Sequence, residues 1–94
     1  MGDVSNIGVI GAGYVGLTTA ACFAKLGHRV MCADIDPDKI ARLNAGEVPI
    51  LEHGMDELLE QGLSDGRLEF VVGAENAVTD AEFAYLCVPT PQRE

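Results

Sequence analysis

The sequence contains no tryptophan and little aromatic residue of any kind: two tyrosines and three phenylalanines make up 5% of its 94 residues. Its core must come from aliphatic and small side chains, which the 48% hydrophobic content allows. Positive charge is also scarce. Six Lys and Arg stand against 15 Asp and Glu, a formal net charge of −9. Residues 1–47 are nearly balanced at −1, whereas residues 48–94 carry −8. That balance argues against a nucleic-acid partner, which needs a basic patch, and against attraction to anionic lipid. No apolar run reaches the ~20 residues of a membrane span. Residues 1–6 lack the basic start and apolar core of a secretion signal, so a cytoplasmic protein is expected.

Cysteine is sparse and unpatterned. Cys22, Cys32 and Cys87 form no CxxC pair, and each lies in an apolar run, so each is expected to pack as a small core hydrophobe. His28 and His53 share no metal-ligand spacing and read as surface polar residues. No residue of the chain is assigned a metal-ligating or catalytic role. A chain of 94 residues is long enough for one small domain and too short for two.

Strand and helix signals alternate along nearly the whole sequence. Ile7–Ile10 is a short apolar run of the kind buried on both faces of a parallel sheet. Tyr14–Leu26 reads as a helix, with Gly27 placed to end it. Val30–Ala33 is a second strand. Asp36-Pro37-Asp38 is a helix start: a capping carboxylate, a proline at the first helical position and an acid in the first turn. That helix ends near Gly46. Met55–Gln61 reads as a third helix and Ser64-Asp65-Gly66 as a turn. Leu68–Val72 and Phe83–Val88 are strands, with a short helix at Ala74–Thr79 between them, and Pro89 stops the last strand. This alternation predicts an α/β fold with a parallel sheet and right-handed crossovers.

Gly11-Ala12-Gly13-Tyr14-Val15-Gly16 is the most informative stretch. A lone GxGxxG among 11 glycines is also what a plain tight turn would show. Here it follows the first strand, opens the first helix, and is answered by Asp34, 18 residues beyond Gly16, at the end of the second strand. Those parts in that register are the fingerprint of a dinucleotide-binding βαβ unit. Gly11 permits the sharp turn, Gly13 lets backbone approach a pyrophosphate, and Gly16 allows close packing of helix on strand. The N–H groups of the first helical turn then face an anion. Asp34 can accept hydrogen bonds from ribose hydroxyls and would repel a 2′-phosphate, which predicts NAD rather than NADP. The architecture expected is a partial Rossmann-like sheet of order 3-2-1-4, with the ligand at the carboxyl ends of its strands.

Further matches extend the pattern. GYVGL at 13–17, Asp34-Ile35-Asp36 with Lys39-Ile40, LNAGEVPI at 43–50, Asp56-Glu57-Leu58-Leu59 and Val88-Pro89-Thr90-Pro91 occur in order along almost the entire chain. Together they resemble the N-terminal part of the UDP-glucose/GDP-mannose dehydrogenase family. The resemblance implies that Gly11, Ala12, Gly13, Tyr14, Val15 and Gly16 contact the pyrophosphate of NAD and that Asp34 binds the adenosine ribose. It places Lys39, which alone would read as a solvated helix charge, beside that ribose, and Thr90 against the nicotinamide half. The family's PIYEPGL segment is Pro49-Ile50-Leu51-Glu52-His53-Gly54-Met55 here, without the aromatic and the second proline, so that loop is given no role.

Members of this family are several times longer. They oxidise the C6 alcohol of a nucleotide sugar, UDP-glucose foremost, to a carboxylate in two NAD-dependent steps through a cysteine-bound thiohemiacetal. None of Cys22, Cys32 and Cys87 matches that cysteine. The chain is therefore expected to be a fragment, either a truncated product or a piece of a larger chain: residues 1–94 are a partial NAD-binding domain, inactive alone, without the sugar-nucleotide domain. The exposed edge of an incomplete sheet would favour homo-oligomers. Two other readings stay open: a stand-alone nucleotide-binding or sensor module, and another βαβ oxidoreductase of the 3-hydroxyacid dehydrogenase kind.

Overall fold

The computed structural model describes residues 4–49 and 54–87. The expectations at His53 and at Val88–Pro91, Thr90 among them, lie outside the described residues. Eight elements follow in order: β1 (Asn6–Ile10), α1 (Tyr14–Lys25), β2 (Arg29–Asp34), α2 (Pro37–Asn44), α3 (Met55–Asp65), β3 (Leu68–Val72), α4 (Ala74–Val78) and β4 (Phe83–Leu86). The four strands form one sheet of order β3-β2-β1-β4, parallel throughout. The sheet therefore has the predicted order.

Strand alternation divides the sheet into two faces. A Cβ on Gly8 would lie 2.7 Å from the Ala77 carbonyl oxygen, so Gly8 faces α4 and lets that short helix approach β1. Ile7 and Val9 point the opposite way. The register sets Val30 beside Ile7 and Cys32 beside Val9, then Leu68 and Phe70 beside those. All six are buried and join Leu17, Ala20, Ala21 and Ala24 of α1, Ile40 and Leu43 of α2 and Leu59 of α3 in one core. Leu59 is fully buried, and truncating such a side chain to alanine costs about 2–5 kcal/mol.

Helix α3 runs one turn further than its sequence suggests. Gly62 sits inside it because a Cβ there would come within 3.1 Å of the Leu68 Cβ and 3.3 Å of the Ala24 Cβ. The helix continues through the Ser64-Asp65 pair and ends at Gly66, which takes a left-handed conformation with φ of 78°. Strand β4 ends at Leu86, so Cys87 lies just beyond it.

The two edges of the sheet differ. At β3, Asn44 of α2 donates to the Phe70 carbonyl at 2.9 Å and accepts from the Phe70 N–H at 3.3 Å, so one amide side chain replaces a missing strand. At β4, Phe83 and Leu86 remain 55% and 73% exposed, with Tyr85 exposed beside them and stacked on Phe23 at 5.0 Å. No helix among the described residues is long and apolar enough to cross a membrane.

Two expectations need correction. Cys22 is exposed rather than buried. The inward stripe of α1 is Leu17, Ala20, Ala21 and Ala24, and Cys22 lies off it. His28 is half-buried rather than a free surface group: its Nδ1 accepts from the Ser5 N–H at 3.1 Å, and its ring meets Phe23 edge-on. Cys32 is buried as expected, and burial, then the nearby Asp34 carboxylate, push its thiol up to about 12, which leaves it unreactive at neutral pH.

Candidate dinucleotide site

The carboxyl ends of β1 and β2 and the amino end of α1 meet at one place. Gly11 turns the chain there with φ of 109°, a conformation that side chains disfavour. Its N–H donates to the Ala33 carbonyl at 2.7 Å, which ties the turn to β2. Gly16 lies one helical turn on. A Cβ at Gly16 would fall on the Gly11 carbonyl oxygen and 2.8 Å from its carbon. The third glycine is therefore required by the turn itself, more than by the strands beneath.

Gly13 has a different reason. Among the described residues nothing lies within 4 Å of the Cβ it would carry, so its missing side chain leaves space there rather than relieving a clash. It is the N-cap of α1, in extended conformation, and among the described residues no side chain caps the helix. The first turn holds no acid. The positive end of α1 is thus presented to solvent between exposed Tyr14 and Val15. Ala12 is buried beneath.

Asp34 closes the site from the end of β2. Its Oδ2 accepts from the Ala12 N–H at 3.0 Å, and its Oδ1 accepts from the Asp36 N–H at 3.1 Å. Lys39 Nζ lies 3.6 Å from Oδ2, and the two side chains are 38% and 18% exposed respectively. Partial burial alone would raise the Asp34 carboxyl. The Ala12 and Asp36 N–H groups, Lys39 and the Ile35 N–H outweigh it and hold the carboxyl below its ordinary 3.8. Asp34 is therefore an ionised acceptor at neutral pH, fixed in place by the turn it faces.

Between the turn and α2 lies a cleft of about 350 Å³, lined by Ala12, Gly13 and Tyr14 on one side and Lys39 and Arg42 on the other. Arg42 was not singled out in the sequence. Its spacing of three from Lys39 was the available signal, because residues three apart share a helix face. A smaller cleft of about 180 Å³ opens at the opposite, amino-terminal end of the sheet, beside Asn6, Arg29 and Arg67, away from the glycine turn. Among the described residues no group of three or more His, Cys, Asp or Glu is placed to hold a metal ion.

The structure thus brings together Gly11, Ala12, Gly13, Tyr14, Val15, Gly16, Asp34 and Lys39. An open helix terminus suits a pyrophosphate, the bare Gly13 admits its approach, and a fixed carboxylate suits ribose hydroxyls. Fold and site together define a dinucleotide-binding α/β unit.

The sequence matches the UDP-glucose/GDP-mannose dehydrogenase family, NAD binding domain, over residues 5–94. The chain belongs to this family, and its cofactor is NAD. It is 47% identical over 83 residues to the UDP-glucose 6-dehydrogenase of Pseudomonas aeruginosa, a match covering 88% of this chain and 18% of that protein. The UDP-glucose dehydrogenase structure from Pyrobaculum islandicum superposes with a TM-score of 0.86 at 42% identity, covering 97% of this chain and 21% of that one. A GDP-mannose dehydrogenase from Pseudomonas aeruginosa, solved as a ternary complex, gives 0.83 at 38% identity, covering 95% and 20%. The chain therefore spans about a fifth of the length of these relatives.

Proposed function

We propose that this chain is the cofactor-binding part of a nucleotide-sugar dehydrogenase that converts UDP-glucose to UDP-glucuronate. The observation that carries this reading is the amino end of α1, without a side-chain cap among the described residues, set against the fixed carboxylate of Asp34. In it, Gly11, Ala12, Gly13, Tyr14, Val15 and Gly16 wrap the pyrophosphate, with the first-turn N–H groups of α1 as donors. Asp34 accepts from the adenosine ribose hydroxyls, and Lys39 balances its charge. NAD, when bound, supplies the hydride acceptor. Thr90 is assigned to the nicotinamide half by its place in the VPTP match just beyond β4.

Greater identity to the UDP-glucose enzyme of Pseudomonas aeruginosa, 47% against 39% for the GDP-mannose enzyme of the same organism, supports UDP-glucose as substrate. The groups that handle the sugar belong to the remaining length of such enzymes, and the 94-residue chain alone turns over nothing. The bare β4 edge supports association with further chain or with copies of itself, and three unpaired thiols fit a reducing cytoplasm. The test is a chimera in which this chain replaces the matching segment of the Pseudomonas aeruginosa UDP-glucose 6-dehydrogenase. NADH formation from UDP-glucose by the chimera, none by the chain alone, and a raised KM for NAD on Asp34→Ala are expected. A folded chimera without NAD-dependent turnover contradicts the proposal.

A further inference from the structure

We propose that Lys39 and Arg42 form a latent acceptor for a ribose 2′-phosphate, and that the Asp34 carboxylate is what keeps it shut. The inference rests on the dinucleotide reading of the site and extends it to how the cofactor is chosen.

Only six of the 94 residues are Lys or Arg, yet two of them line one cleft beside the glycine turn. They lie three apart on α2, on the same side of the helix. Lys39 is engaged by Asp34 at 3.6 Å. Arg42 has no ion-pair partner among the described residues, although Glu47 lines the same cleft. Ala12 joins the two halves of the arrangement: it lines the cleft, and its N–H holds the Asp34 carboxylate at the cleft's border. A phosphate on the ribose 2′-oxygen would meet that carboxylate first, and two negative groups at one position repel. Without the Asp34 charge, Lys39 loses its partner, and Glu47 is the one acid left in a cleft lined by two cations. A guanidinium and an ammonium are the groups that recognise phosphate, the first by paired N–H donors and the second as a point charge.

The probes are 5′-AMP and 2′,5′-ADP, which differ by the 2′-phosphate alone, titrated into the 94-residue chain and followed by amide NMR. The native chain should prefer AMP. Asp34→Asn, which keeps an acceptor oxygen, should reverse the order and favour 2′,5′-ADP by about tenfold, the worth of one charge-assisted contact. Adding Arg42→Ala should remove most of that gain, and added salt should erode it. Asp34→Ser is the parallel variant should the asparagine not fold. A third measurement needs no change at Asp34: Arg42→Ala in the native background should widen the preference for AMP about threefold, by removing part of the attraction that offsets the repulsion. If AMP binds but Asp34→Asn still prefers it, or if Arg42→Ala leaves the preference unmoved in both backgrounds, the latent acceptor is overturned and the NAD site stands. If the native chain binds neither probe at the glycine turn, the site reading and this inference fall together.

Discussion

Helices α1 and α2 follow consecutive strands of the same sheet, yet they begin in opposite ways. At α2 the Asp36 side chain accepts from the Asp38 and Lys39 N–H groups, Pro37 removes a further donor, and Asp38 adds an acid to the first turn. At α1 the N-cap is Gly13, no side chain among the described residues caps it, and no acid stands in its first turn. The end of α2 is capped by its own side chain, whereas the end of α1 has no side-chain cap among the described residues, and its positive dipole faces the proposed pyrophosphate. One strand–helix junction is closed by its own residues, and its neighbour is the one proposed to receive an anion.

The contrast can be broken most severely at Gly16. Gly16→Ala drives a methyl into the Gly11 carbonyl and should cost about 3 kcal/mol or more, read as loss of a cooperative melting transition. The contrast can be abolished more selectively at Gly13. Gly13→Asp would give α1 the cap that α2 already has, in open space and on extended backbone. A gain in stability of a few tenths of a kcal/mol is expected, together with loss of NAD affinity by at least about tenfold, from carboxylate set against pyrophosphate. Unchanged affinity in a folded Gly13→Asp protein would show that α1 does not hold the anion. The converse change, Asp36→Ala, should lower stability by about 1 kcal/mol, measured by denaturant unfolding, with NAD affinity much less affected.

Acid provides a smaller, graded test. The folded-state pKa of Asp34 lies below the ordinary 3.8. Its contribution to stability is therefore complete above that value and is lost as pH falls through the lower folded-state pKa. Asp34→Asn should flatten this part of the stability–pH profile below about pH 4, the ordinary carboxyl range. Thiol labelling gives the smallest effect: Cys22 should react first with an alkylating agent and Cys32 last, as their exposure and burial require.

Much of this was legible in the sequence, for identifiable reasons. Strand order followed from alternation, because parallel strands joined by right-handed crossovers have few arrangements open to them. The cap at Asp36 and the turn at Gly11 follow from local chemistry, and both are found. The misses are of two kinds. Cys22 lies off the helical period that the surrounding alanines display, and α3 runs on to Asp65 where Ser64-Asp65-Gly66 reads as a break. The others depend on distant residues. Asn44 serves the edge of β3 across 26 positions, and the Ala12 N–H holds Asp34 across 22. No local pattern announces either. The two sheet edges record the same lesson: Asn44 finishes the one at β3, while exposed Phe83 and Leu86 leave the one at β4 bare.

The most direct measurement is a two-dimensional amide NMR titration of the 94-residue chain with NAD and, in parallel, NADP. The account predicts dispersed spectra and shifts centred on Gly11–Gly16 and Asp34, larger for NAD than for NADP at equal concentration. Dispersed spectra in which NAD moves neither the Gly11–Gly16 turn nor Asp34 would contradict it.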